Sequence, residues 1–170
     1  MQVLVVVDMQ NDFIDGVLGT HEAQEIVDRV RKKIEGFEGK IIFTRDTHDE
    51  DYLNTQEGKN LPVIHCMNGS KGHAIESSLP TKYHQIIDKR SFGSPELVKE
   101  LMKLDRQEKI ESITFIGICT DICVISNVIA TKVFLPEIPL IVDSSCCAGV
   151  TKESHQTALD AMKMCQIKIV

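Results

Sequence analysis

Six short runs of apolar, mostly β-branched residues are distributed along the chain, and segments with helical periodicity separate most of them. Continuous apolar runs of this kind are typical of parallel strands that are covered on both faces. The predicted strands are residues 3–7, 40–44, 85–88, 112–116, 140–143 and 167–170. This alternation favours an α/β fold, a doubly wound, Rossmann-like three-layer sandwich with a mainly parallel sheet of about six strands.

Helix signals occupy the segments between the predicted strands. The apolar residues of 22–36 recur at helical spacing, with acidic residues early and basic residues late, as the helix dipole favours. Ser94 followed by Pro95 indicates a helix start, and Thr151 is predicted to cap the last helix. Residues 46–79 are polar and carry no long helical stripe. Because a loop of that length in a compact domain is usually functional, we expect it to contribute to a site.

Composition narrows the class of protein. With 170 residues the chain is expected to form a single domain, 1–170. Acidic and basic residues are interspersed at a net charge of -6, so no basic stripe predicts nucleic acid or an anionic lipid surface as a partner. The apolar runs are far shorter than a membrane span, and no signal peptide is evident. The six cysteines are therefore expected to be free thiols in the cytoplasm.

Three reactive residues lie at or beyond the carboxyl ends of predicted strands. Asp8 follows the first strand, Lys89 the third, and Cys123 comes after the fourth, where a helix begins. The carboxyl ends of parallel strands meet at one edge of a sheet, so these side chains are expected to converge. A helix start favours a thiolate, which makes Cys123 the candidate nucleophile, with Asp8 as base and Lys89 as a nearby cation. Alternatively, Asp8 caps a turn and Lys89 is a solvated surface residue.

Asp46 and His48 begin the long polar loop. On extended chain their side chains project to the same side, so a carboxylate and an imidazole can share one ion. Glu57 and His65 would complete a mixed nitrogen and oxygen site of a kind that suits zinc, iron or manganese. Glu50 could compete with Glu57, and the alternative is a polar loop with scattered histidines. The other histidines are expected on the surface.

Five segments, in order along the chain, resemble the motifs of the nicotinamidase branch of the isochorismatase-like cysteine hydrolases. They are residues 7–13 (VDMQNDF), 44–48 (TRDTH), 65–72 (HCMNGSKG), 89–92 (KRSF) and 117–124 (GICTDICV). The resemblance extends from end to end of the chain. It implies a catalytic triad of Asp8, Lys89 and Cys123, and metal ligands Asp46, His48 and His65 with Glu57 as a fourth, acidic ligand.

The resemblance also assigns roles near the nucleophile. It implies that Cys123 rather than Cys119 attacks the substrate, and that the backbone N–H groups of both cysteines face a developing oxyanion. The peptide bond between Ile118 and Cys119 is expected to be cis. Phe13 and Leu18 resemble pocket residues that pack on the ring of the substrate.

The activity implied by the resemblance is hydrolysis of nicotinamide to nicotinic acid and ammonia through a thioester, in NAD salvage. A divalent metal, zinc foremost, would orient the substrate, and the family commonly forms homo-oligomers. One alternative is a related amidase that acts on another small carboxamide or a carbamoyl compound. An isochorismatase is disfavoured by Cys123, and a non-catalytic metal or thiol redox module would not need the pair of Asp8 and Lys89. Arg90 would favour an anionic substrate if it faced inward, although the surface position is preferred.

Overall fold

The computed structural model describes residues 1–170. Its strands are β1 (Gln2–Val7), β2 (Lys40–Asp46), β3 (Gln85–Lys89), β4 (Ser112–Ile118), β5 (Leu140–Ala148) and β6 (Lys168–Ile169). Its helices are α1 (Asn11–Ile14), α2 (His21–Glu35), α3 (Gln56–Asn60), α4 (Pro95–Gln107), α5 (Ile125–Phe134) and α6 (Lys152–Met164). The six strands form one sheet in the order β3-β2-β1-β4-β5-β6, and every neighbouring pair is parallel. None of the helices is both long and apolar enough to cross a membrane.

The predicted α/β fold is confirmed, and so are the helix starts. The side chains of Ser94 and Thr151 each accept a hydrogen bond from the backbone N–H three residues later, as predicted, and Thr20 caps α2 in the same way. Only β5 departs substantially from the prediction, because it continues past the expected end at residue 143 to Ala148. Two serines interrupt its apolar pattern, and pairing with β4 resumes after a register shift at Gly117 and Cys147.

The sheet is buried on both faces, which explains the continuous apolar runs. In β1, Val3, Val5 and Val7 face one core with residues of α4, α5 and α6, whereas Leu4 and Val6 face a second core with residues of α2. Burial of each such side chain contributes roughly 1.5 to 3 kcal/mol. The molecule therefore has helices on both sides of one sheet, as a three-layer sandwich requires.

The strand order reverses between β1 and β4, at the centre of the sheet. In doubly wound folds, ligands bind outside the carboxyl ends of the strands at such a point. Gly117, near the end of β4, has φ +118°, and a Cβ atom there would collide with the carbonyl oxygen of Val7. Only glycine therefore lets β4 lie this close to β1 where both strands approach the crevice.

Candidate active site

Asp8, Lys89 and Cys123 lie together at the carboxyl edge of the sheet, as the sequence predicts. The Lys89 Nζ atom lies 2.7 Å from Asp8 Oδ2 and 3.4 Å from Cys123 Sγ. All three residues are buried, and Lys89 is only 1% exposed. Lysine is rarely buried unless it is paired, so the surface alternative for Lys89 is wrong.

The local backbone directs each of these side chains inward. Asp8 follows β1 with φ +47°, a left-handed conformation that aspartate tolerates better than most residues. The Thr44 hydroxyl donates a hydrogen bond to Asp8 Oδ1 at 2.7 Å and holds the carboxylate in place. Lys89 is the last residue of β3, where its side chain can extend under the crevice. These contacts leave little freedom to either charged group.

Burial dominates the electrostatics of the cluster. Desolvation raises the pKa of Asp8 even though the Lys89 ammonium lowers it. Burial raises the pKa of the Cys123 thiol well above its usual range, Asp8 raises it further, and Lys89 opposes both. In this environment burial and Asp8 favour the neutral thiol, against the effect of the helix start and of Lys89. A proton acceptor is needed when the sulfur reacts, and the raised pKa of Asp8 makes it a stronger base than an ordinary carboxylate.

Cys123 belongs to a π-helical turn, Thr120–Val124, and not to the first turn of an α-helix. This turn directly precedes α5. The peptide bond between Ile118 and Cys119 is cis, as the resemblance implies. The backbone N–H groups of Ile122 and Val124 both donate to the carbonyl oxygen of Cys119, at 3.1 and 3.0 Å. The turn thus forms a compact unit that presents both Cys119 and Cys123 to the same cavity.

The second cluster consists of Asp46, His48, Glu57 and His65. One potential ligand atom from each residue lies within 4.8 Å of all the others. Asp46 ends β2 and His48 follows it by two residues, whereas Glu57 comes from α3 and His65 from the loop beyond. Glu50 is exposed and outside this group, so the structure favours Glu57 over Glu50 as the acidic member.

The chemistry of these donors fits a divalent cation. The Nε2 atom of His48 is buried without a well-aligned hydrogen bond, although Asp46 Oδ2 lies 2.9 Å away. His65 Nδ1 lies 2.7 Å from the Val63 carbonyl oxygen, which can only accept, so Nε2 of His65 faces the cluster with a free lone pair. Burial lowers the pKa of His48, but the carboxylates of Asp46 and Glu57 raise it to about 9. The cluster therefore attracts positive charge, as a metal site does.

Asp46 connects the two clusters. Its Oδ1 atom accepts a hydrogen bond from Lys89 Nζ at 3.0 Å, while Oδ2 faces His48 and His65 at 2.9 and 3.6 Å. Burial would raise its pKa, but the neighbouring His48 and His65 imidazoles and the Lys89 ammonium lower it well below the usual range. This carboxylate is therefore ionised and is shared between the lysine and the candidate metal site.

A cavity of about 300 Å³ opens beside both clusters. Mostly apolar residues line it, and among them are Phe13 and Leu18, the two pocket residues that the resemblance implies. The charged residues in the wall are Asp46 and Glu57, both acidic. Arg90 is not part of this wall, and its side chain is 72% exposed and paired with Asp49. The cavity therefore suits a small neutral molecule with an apolar body.

Several positioning contacts were not identified from the sequence, although Gln10 and Asp12 lie in the first of the quoted motifs. The Gln10 side chain donates to the Asp46 carbonyl oxygen at 2.8 Å and accepts from the Asp46 N–H at 2.7 Å. Asp12 accepts from the backbone N–H of Cys66 at 2.7 Å, next to His65. His73, expected on the surface, is buried and lies 2.9 Å from the Thr47 hydroxyl. Polar residues spaced within one short motif were the available signal for the first two.

The doubly wound α/β fold, the buried acid, lysine and cysteine, and the adjoining ligand cluster are together those of a hydrolase. The chain belongs to the isochorismatase family, whose domain matches residues 2–170.

Known relatives agree with this assignment. The nicotinamidase/pyrazinamidase of Mycobacterium tuberculosis is 25% identical in an alignment 194 residues long. The alignment covers 100% of this chain and 98% of that protein. The crystal structure of the pyrazinamidase of Pyrococcus horikoshii in complex with zinc is similar at 26% identity and a TM-score of 0.86, covering 99% and 98% of the two chains. A nicotinamidase/pyrazinamidase structure from Bacillus subtilis, 22% identical with a TM-score of 0.85 over 99% and 98% of the chains, has the same fold. These findings confirm the predicted enzyme class, an amidohydrolase that acts on C–N bonds.

Proposed function

We propose that this protein is a nicotinamidase, which hydrolyses nicotinamide to nicotinic acid and ammonia through a thioester on Cys123. The observation that supports this most strongly is the position of Lys89 Nζ, between Asp8 and Cys123 Sγ, beside an apolar cavity. A carboxamide in that cavity would present its carbon to the sulfur. Residues 1–170 would act as one hydrolase domain.

In the first half of the reaction, the sulfur attacks the carboxamide carbon. Asp8 takes the Cys123 proton as the C–S bond forms. The Lys89 ammonium stabilises the negative charge that the sulfur carries as it loses this proton. The backbone N–H groups of Cys119 and Cys123 donate to the oxyanion, and loss of one such donor costs about 100-fold or more in rate. Asp8 then gives its proton to the leaving nitrogen, the C–N bond breaks and ammonia departs.

In the second half, water hydrolyses the thioester. Asp8 accepts a proton from the water as its oxygen bonds to the carbonyl carbon. The C–S bond then breaks, and Asp8 returns the proton to Cys123. The sum is one carboxamide and one water converted to one carboxylic acid and one ammonia.

Asp46, His48, Glu57 and His65 would hold a divalent ion, which we propose to be zinc, with iron or manganese as alternatives. Supporting this are the mixed nitrogen and oxygen donors and the zinc in the Pyrococcus horikoshii pyrazinamidase structure. When bound, the ion would supply a Lewis-acidic centre that orients the ring of the substrate. Phe13 would pack on that ring, since it lies beside His65 with ring centroids 5.6 Å apart.

The cavity wall also guides the choice of substrate. Its acidic residues, Asp46 and Glu57, and the outward position of Arg90 oppose an anionic substrate such as isochorismate. Aliphatic residues, among them Leu61, Ile122 and Val150, supply much of the remaining wall. This aliphatic lining favours a second candidate, another small neutral carboxamide or carbamoyl compound.

The biological setting is part of the proposal. Nicotinic acid is a precursor in NAD salvage, and the six free thiols fit a reducing cytoplasm. We also propose a homo-oligomer, since α5 is largely apolar and leaves Val133 and Phe134 67% and 58% exposed.

The test is ammonia release from nicotinamide by zinc-loaded protein. We expect turnover that disappears in Cys123→Ala and in chelated protein, and that persists in Cys165→Ala, which changes an exposed cysteine. Acid quenching during turnover should trap an acyl adduct on Cys123, detected by mass spectrometry. If folded, metal-loaded protein does not turn over nicotinamide, the proposed substrate is wrong and other carboxamides are to be tested. A disulfide without any acyl adduct would support a redox module instead.

A further inference from the structure

Asn127 is a fully buried residue of α5 whose side chain joins two segments of the active site. Its Nδ2 group donates to the carbonyl oxygen of Cys123 at 2.8 Å and to that of Phe92 at 3.1 Å. Its Oδ1 atom accepts a hydrogen bond from the backbone N–H of Ser94 at 2.9 Å. Both amide hydrogens and the oxygen are therefore engaged, and the two carbonyl partners determine which end of the amide is nitrogen.

The two segments supply different parts of the site. Cys123 lies in the π-helical turn, whereas Phe92 and Ser94 belong to the loop that begins directly after Lys89 and leads into α4. Phe92 and Cys123 both line the cavity. Ser94 also starts α4, because its hydroxyl oxygen accepts from the Leu97 N–H at 3.1 Å. One buried amide thus connects the backbone of the nucleophile to the segment that follows the lysine.

Much of this loop has few other restraints. Arg90 and Ser91 are exposed, and Phe92 is 44% exposed although it forms part of the cavity wall. Hydrogen bonds in a water-excluded interior are stronger than those at the surface. The contacts of Asn127 are therefore well placed to hold Phe92 against the cavity and to fix the backbone of Cys123.

We infer that Asn127 is a positioning residue of this enzyme, an inference that rests on the proposed function. Through the Cys123 carbonyl it sets the place of the sulfur relative to Lys89, and through Phe92 and Ser94 it holds one wall of the substrate cavity. Misplacing the sulfur should lower kcat, whereas loosening the cavity wall should raise KM. A misplacement of about 1 Å in a catalytic group can cost about 100-fold in rate.

The isosteric pair Asn127→Val and Asn127→Thr separates these effects. In a helix, a threonine hydroxyl can donate to the carbonyl four residues earlier, which from position 127 is that of Cys123. We expect kcat on nicotinamide to fall about 100-fold in Asn127→Val and to stay close to wild type in Asn127→Thr. KM should rise in both, because both lose the contacts to Phe92 and Ser94. Alkylation of Cys123 by iodoacetamide, followed by peptide mass spectrometry, should slow only in Asn127→Val.

The control is Thr131→Val, which removes a buried hydroxyl without a hydrogen-bond partner from the same helix and should leave kcat and KM unchanged. The inference is overturned if folded Asn127→Val keeps wild-type kcat, or if Asn127→Thr loses as much as Asn127→Val. If Asn127→Val does not fold, an unchanged KM in Asn127→Thr overturns it. A wild-type protein without turnover on nicotinamide would instead contradict the proposed function, and the alkylation rates would still test Asn127.

Discussion

At the scale of single residues, Lys89 is a buried cation held by several partners. Its ammonium group contacts two buried carboxylates, at 2.7 Å on Asp8 and 3.0 Å on Asp46, together with the Cys123 sulfur. Removing one partner of a buried ion pair leaves an uncompensated charge in a medium that solvates it poorly. The same side chain therefore supports both folding and the proposed chemistry.

Lys89→Met tests this double role. The variant should lose about 3 to 5 kcal/mol of unfolding free energy, because two carboxylates lose their cation. Turnover of nicotinamide should fall about 100-fold to 1000-fold, as for loss of a preorganised charge. Urea titration and ammonia release measure the two effects. Lys99→Met, which changes an exposed lysine, is the control and should alter neither.

Glu57→Gln tests the fourth ligand. The substitution keeps the shape of the side chain but removes a negative charge from the candidate metal site. Changes in residues that only hydrogen-bond to the metal ligands weaken metal binding by about 10- to 100-fold. The loss of a direct ligand should therefore weaken zinc binding at least that much. Competition with a chromogenic chelator measures the affinity. Glu50→Gln is the matched control, and an equal loss there would show that the assignment of Glu57 is wrong.

At the scale of secondary-structure elements, the contact between β1 and β4 positions the crevice. Gly117→Ala places a Cβ atom against the Val7 carbonyl oxygen at a φ of +118°, so the variant should be destabilised by more than about 1 kcal/mol. Thermal melting measures the change. Gly36→Ala is the control, because Gly36 ends α2 at φ -95° and a Cβ there meets only ordinary contact. That control should be neutral or slightly stabilising.

Elements were predictable where burial and capping give local signals. The strands read as β-branched runs because parallel strands are buried on both faces. Ser94 and Thr151 use side-chain caps that depend on neighbouring residues alone. The π-helical turn at Cys123 leaves no such signal, because tertiary packing decides it. The raised pKa of the Cys123 thiol was missed for the same reason, since burial depends on residues distant in the sequence.

The site was predictable to the extent that strand ends converge. Asp8, Lys89 and Cys123 were placed together by strand position, and the metal candidates Asp46 and His48 by their spacing. The sharing of Asp46 between both clusters was not predictable. It depends on β2 and β3 pairing in a register that sets Asp46 beside Lys89.

At the scale of the whole molecule, a charged contact joins one helical layer to the sheet. Lys33 of α2 lies 2.9 Å from Asp143 of β5. Burial alone would raise the pKa of Asp143, but the Lys33 ammonium and the Ser145 hydroxyl lower it below its usual range. A carboxyl group with a lowered pKa stabilises the fold above its unfolded pKa of about 3.9, and this contribution is lost as the pH falls through the folded value.

Asp143→Asn should therefore lower stability at pH 7 and have a smaller effect as the pH falls below about 4 and through the lowered pKa of Asp143, where the wild-type carboxyl also becomes protonated. Urea midpoints of both proteins between pH 7 and pH 2.5 measure this. A difference that stayed constant across the range would show that the side chain contributes through packing or neutral hydrogen bonds alone. Asp15→Asn, which changes an exposed carboxyl group, is the control.

Strand β3 forms one edge of the sheet and has β2 as its only neighbouring strand, yet it delivers Lys89. Parts of a fold with few buried apolar contacts open at lower free energy than the whole molecule, and of the five residues of β3 only Ile87 and Lys89 are buried. Mild denaturant should therefore separate Lys89 from Cys123 while the central strands remain intact. The protein would then be inactivated before it loses its secondary structure, and ammonia release in urea would decline ahead of the circular dichroism signal. The loss of activity in denaturant would be set by the opening of one short strand rather than by unfolding of the whole domain.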